Sequence, residues 1–183
     1  MAPTTDSSRD GPPRSLLIAA IAVAVAAIVA VLAIAAVRQS SPRQQPVPIA
    51  SVPAPRAESP ECGALTEALP EELGDYRRAA AADPAPAGAA AWQAASDAEP
   101  VILRCGLDRP ADFVVGAPIQ VVDAVQWFEV ADEGRSTWFA VDRPVYIALT
   151  LPGGSGPTPI QEISEVIART LAAEPIDPAP APS

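Results

Sequence analysis

Val101-Ile-Leu-Arg-Cys-Gly-Leu107 is the stretch on which the fold turns. Side chains alternate across a strand, so Val101, Leu103, Cys105 and Leu107 share one face. The spacing predicts a half-buried strand with Cys105 pointing inward. The chain has one other cysteine, Cys62. Ser59-Pro60 before it reads as a helix N-cap with proline at the first helical position. A short helix over 62–69 follows, apolar at Leu65, Ala68 and Leu69 and broken by Pro70. A bond between the cysteines would staple that helix to the strand. The alternative is two unrelated buried thiols.

Further strands lie downstream. Ile119 to Val130 and Ser136 to Val141 predict a hairpin, closed by Ala131-Asp-Glu-Gly-Arg135. Val145 to Leu151 sets Val145, Ile147, Leu149 and Leu151 against Tyr146, Ala148 and Thr150. Thr158-Pro-Ile-Gln161 reads as a capping box, followed by Ile160, Ile163, Val166, Ile167 and Leu171 at helical spacing. Residues 79–98, rich in Ala and Pro, read as irregular, with Trp92 anchored in the core. The expected fold class is α+β: a mainly antiparallel sheet of about four strands, with a short N-terminal helix and a C-terminal helix. One transmembrane helix is expected to precede it.

That helix is read from 15–37. Leu16 to Val37 is uninterrupted apolar sequence, bracketed by Arg14 and Arg38. About 20 apolar residues suffice to cross a hydrocarbon core. The run is longer than a usual signal-peptide core, which favours a retained signal-anchor. Ala33-Ile-Ala35 leaves the alternative of secretion after cleavage near Ala35. The flanking arginines do not settle the orientation. The cysteine pair does, because structural disulfides belong to oxidising compartments. The expected arrangement is a cytoplasmic tail (1–14), the anchor (15–37), a proline-rich stalk (38–58), an extracytoplasmic domain (59–173) and a disordered tail (174–183). The expected location is the cell membrane, single-pass, with the domain outside the cytoplasm.

Composition removes several chemistries. All 12 basic residues are Arg, and the chain has no Lys, His or Asn. Without His there is no Ser-His or Cys-His pair and no imidazole metal site. Without Lys there is no Schiff base and no P-loop lysine. No metal and no cofactor are expected. Residues 44–183 carry eight Arg against twenty Asp or Glu, a net charge of −12. Such a domain repels phosphate backbones, so nucleic acid is not an expected partner.

The segments Cys62-Gly-Ala-Leu65, Val101-Ile-Leu-Arg-Cys-Gly106, Val125-Gln-Trp127, Ala140-Val-Asp-Arg-Pro-Val-Tyr146 and Pro159-Ile-Gln-Glu-Ile-Ser164 together resemble the actinobacterial domain-of-unknown-function family 3515. The resemblance covers roughly residues 60–172. It implies a membrane-anchored or secreted envelope protein with a Cys pair, and it brings no assigned activity and no catalytic residues.

Three constellations remain. Asp-Arg-Pro occurs at 108–110 and at 142–144. Both read as structural turns, or else Arg109 and Arg143, with Arg104, form a candidate anion-binding rim for carboxylate or phosphate. Trp127, Phe128, Trp138 and Phe139 crowd the hairpin, and consecutive aromatics face opposite sides of a strand. One set belongs to the core. The other is covered by the N-terminal segment or forms a candidate partner patch. The Gly-rich stretch 152–159 reads as a connector, since proline removes donors an anion cradle needs. The expected function is a non-enzymatic binding or accessory module of the envelope, with an envelope protein or an anionic wall component as partner. The rival is a carboxylate-dependent hydrolase of envelope glycans or peptides.

Overall fold

The computed structural model describes residues 14–39, 45–94, 98–132 and 134–181. The chain divides into two units, one ending at Arg43 and one starting at Gln44.

The first unit holds α1 (Arg14–Gln39). It is apolar on every side where side chains are described, and Ile18, Ile21, Ile28 and Leu32 are exposed. Among the described residues, no helix is long and apolar enough to cross a membrane. The transmembrane helix in the expected fold class is corrected on that finding. Ala35 and the segment 1–13 lie outside the residues whose side chains are described.

The second unit is one eight-stranded, fully antiparallel sheet. Its strands are β1 (Glu72–Leu73), β2 (Tyr76–Ala79), β3 (Ala89–Ala94) and β4 (Val101–Leu107), then β5 (Gln120–Val122), β6 (Val125–Asp132), β7 (Arg135–Ala140) and β8 (Tyr146–Pro152). The spatial order is β1-β2-β3-β4-β8-β7-β6-β5, with β4 and β8 at the centre. The expected four strands are therefore corrected to eight. Two of the four added strands, β3 and β5, have a clear physical cause. Ala89-Ala-Ala-Trp-Gln-Ala94 has little intrinsic strand preference, but pairing to β2 and β4 and the burial of Trp92 override it. The expected strand 119–130 is really two, because Asp123 takes a positive φ of 51° and folds β5 back on β6 without a glycine.

Both remaining helices cover one face. α2 (Pro60–Ala68) starts as the sequence predicts, with the Ser59 hydroxyl accepting from the Cys62 N–H at 3.3 Å and proline in the first turn. α3 (Thr158–Thr170) departs from expectation at its start: Pro157 is the cap residue and no side chain caps it. Its apolar stripe of Ile160, Ile163, Val166, Ile167 and Leu171 is buried as predicted. Under the helices, the sheet presents matched rows. Leu103, Leu149 and Trp138 are direct cross-strand partners, as are Cys105, Ile147, Ala140 and Trp127. Trp127, fully buried, donates its indole N–H to the Ser164 hydroxyl on α3 at 2.9 Å.

The opposite face is also covered, by irregular chain. On one half, Val47 and Ile49 pack on Ala79 and Ala91. Residues 45–58, which read as stalk, act here as a strap across the sheet. Val47 bonds through its N–H to Ala80 and through its carbonyl to Ala82, each at 2.8 Å. On the other half, Phe113 from the loop after β4 packs on Phe128, ring centroids 5.4 Å apart. The residues after α3, which read as a disordered tail, join this layer. Ala179 exchanges hydrogen bonds with Phe113 and Val115, and Arg109 pairs with Asp177 at 3.0 Å.

Candidate functional site

The disulfide is present as the sequence predicts. Cys62 on α2 and Cys105 on β4 are bonded, with their Cα atoms 5.6 Å apart and both side chains fully buried. A bulge follows at Cys105–Leu107, so the strict alternation expected of this strand breaks there and Leu107 leaves the core face. Gly106, at φ +85°, lies directly beneath the strap: Arg56 donates its N–H to the Gly106 carbonyl at 3.0 Å.

The three arginines proposed as a rim occupy different settings. Arg143 is buried beside Asp142, Nη1 to Oδ1 2.8 Å, and donates to the carbonyls of Asp142 and Ala124 at 2.9 and 2.7 Å. Asp142 Oδ2 in turn accepts the Gln126 N–H at 3.1 Å. The pair thus clamps the β5–β6 turn, which is structural work of the kind an Asp-Arg-Pro turn suggests. Arg109 is held by Asp177. Arg104 lies on the strap-covered face, flanked across the sheet by Ala89 and Ala148, which leave it room. Its Nη2 reaches the Ala50 carbonyl at a long 3.4 Å. Its Nε is buried without a hydrogen-bond partner, and desolvation holds its pKa below the ordinary guanidinium value.

The aromatic cluster divides between the faces as a strand requires. Trp127 and Trp138 go to the helix-covered side, Trp127 deep in the core and Trp138 half-buried beside it. Phe128 and Phe139 go to the other side, where the 108–119 loop covers them rather than the N-terminal segment. Glu133, in the hairpin turn, lies outside the described residues.

A groove that the sequence does not announce opens between the strap and the ends of β7 and β8. Its volume is about 300 Å³, at the small end of the range for ligand pockets. Val47, Ile102 and Thr150 line it, together with four prolines, Pro46, Pro48, Pro100 and Pro152. The amides of Gln45 and Gln93 add polar groups. At its mouth Arg135 meets Glu99, Nη2 to Oε1 2.9 Å, with both side chains about half exposed. The one sequence signal for this site was Ile102. An apolar residue on the face opposite Leu103 and Cys105 implies cover on that side too.

No curated protein matches this chain. Among solved structures, a GTP-binding regulator from Thermotoga maritima is similar at 12% identity, over 70% of this chain and 95% of that one, with a TM-score of 0.34. A likeness that slight carries no argument about function. The family model described as "Protein of unknown function (DUF3515)" matches residues 21–176. That match takes in α2, the whole sheet and α3, and with it the family predicted from the Leu-Arg-Cys-Gly and Arg-Pro-Val-Tyr segments: the chain belongs to the DUF3515 family.

Proposed function

We propose that the protein is a membrane-tethered, extracytoplasmic binding or accessory module of the cell envelope. The observation that carries this reading is the buried Cys62–Cys105 bond, which ties the first helix of the domain to a central strand. Disulfides placed so deep in a small domain persist where the surroundings are oxidising. The binding surface in this reading is the groove. Among its described lining residues Glu99 is the one carboxylate, whereas paired-carboxylate hydrolysis uses two.

The test has two arms. Intact cells bearing a C-terminally tagged protein are treated with protease, and the tag should be lost while the membrane stays sealed. The full chain is then incubated with labelled envelope glycans and peptides and crosslinked in cells. Saturable capture of a partner without turnover supports the reading. A protected tag would overturn the location, and turnover of a labelled fragment would overturn the binding role.

A further inference from the structure

The groove combines an apolar lining with an exposed acid at its mouth. Val47, Ile102 and the prolines supply hydrocarbon. Proline also supplies a carbonyl and no N–H, so the four prolines enrich the wall in acceptors and add no backbone donor. The chain around it has a net charge of −10 and contains no lysine, so its field draws cations toward the surface.

Glu99 can change partners at low cost. Its ion pair with Arg135 is half exposed on both sides, the setting in which such pairs are weakest. Asp132 is the direct cross-strand partner of Arg135 at the head of the β6–β7 hairpin.

We propose that this groove seats a lysine or arginine side chain from an extended segment of a partner protein. The aliphatic stem lies along Val47, Ile102 and Pro152, and the cationic head is held by Glu99. A basic side chain is amphipathic along its length in the same order as the groove, apolar within and with the Glu99 carboxylate, paired to Arg135, at the mouth. Thr150, whose hydroxyl is 3.1 Å from that of Thr137, provides the polar part of the floor. One wall is the strap, held by Val47 on Ala80 and Ala82, so occupancy also fastens the strap to the sheet. This assignment rests on the binding-module reading and specifies its ligand.

The experiment uses the full chain in detergent solution with labelled valine and isoleucine methyl groups. Acetyl-Ala-Lys-Ala-amide is titrated in, with acetyl-Ala-Glu-Ala-amide and acetyl-Ala-Ala-Ala-amide alongside. The lysine peptide should shift the Val47 and Ile102 methyl signals saturably, and raised salt should weaken it. Glu99→Gln should weaken it about tenfold. Arg135→Gln should leave its affinity unchanged or raise it. Thr150→Trp, which fills the groove, should abolish the shifts while the Trp127 indole signal stays in place. Equal or tighter binding of the glutamate peptide, indifference to Glu99→Gln, or no shift at millimolar peptide would each overturn the proposal. If crosslinking in cells still captures a partner through another surface, the basic-residue assignment fails and the binding-module reading stands. A protected C-terminal tag in intact cells sinks that reading whatever the peptides do.

Discussion

The N–H of Arg56 donates to the carbonyl of Gly106 at 3.0 Å, and a Cβ built on Gly106 would stand 2.3 Å from the backbone of Arg56 and Ala57. The strap thus runs against the central strand with no side chain between them, one residue beyond the disulfide. Gly106 also has φ +85°, a conformation L-residues resist. Gly106→Ala should cost at least about 2 kcal/mol, since strain and clash add. Gly116→Ala is the control: its φ is +92°, but nothing lies within 4 Å of the new Cβ, so only the strain of about 1–2 kcal/mol remains. Urea unfolding of the two variants measures the difference.

Loss of the disulfide has an expected size. α2 is nine residues long, too short to be stable alone, and the bond fixes it to β4. Cys62→Ser and Cys105→Ser should each lower stability by about 2–5 kcal/mol. The double variant should be no worse than either single one, because the same bond is lost in all three. A double variant clearly less stable than both would show that each cysteine has a role beyond the bond.

Ser164 holds together sheet and helix. It accepts from the Trp127 indole at 2.9 Å and donates to the Ile160 carbonyl at 2.7 Å, all within the core. Ser164→Ala leaves a buried indole N–H without a partner and should cost about 1–3 kcal/mol. Trp127→Phe should cost less in the Ser164→Ala background than in the natural protein, and a double-mutant cycle reads that coupling.

Tyr146 should weaken the domain at alkaline pH. Burial raises its pKa, with the Arg109 charge opposing the rise and the Asp177 charge adding to it. A pKa raised in the folded state means folding favours the neutral phenol. That stability is fully present below the usual phenol pKa of about 10 and is lost as pH rises through the raised value. The natural protein should therefore lose more stability than Tyr146→Phe between about pH 9 and pH 12. Equal losses in the two proteins would show that Tyr146 contributes nothing to that weakening.

Where sequence and structure agree, the signal was local. β4 alternates as far as the bulge after Cys105, β8 sets Ile147, Leu149 and Leu151 in the core, α3 carries a helical stripe, and Ser59-Pro60 starts α2. Where they part, tertiary context decides. β3 is mostly alanine and becomes a strand because Trp92 is buried between β2 and β4 partners. The β5–β6 turn uses Asp123 where a glycine would have marked it. The groove was illegible for a different reason. Its near wall, Pro46 to Pro48, has the composition of a free stalk, and Val47's bonds to Ala80 and Ala82 and its packing on Ala79 and Ala91, all distant in sequence, lay it on the sheet. Glu99 and Arg135 meet across 36 residues, a distance no periodicity reports.

The central claim is a disulfide-closed domain working in an oxidising compartment. The most direct measurement is mass-tagging of thiols in the protein taken from its own cells, denatured with and without prior reduction. The account predicts no tag before reduction and two after it, at Cys62 and Cys105. Two tags without reduction would contradict it.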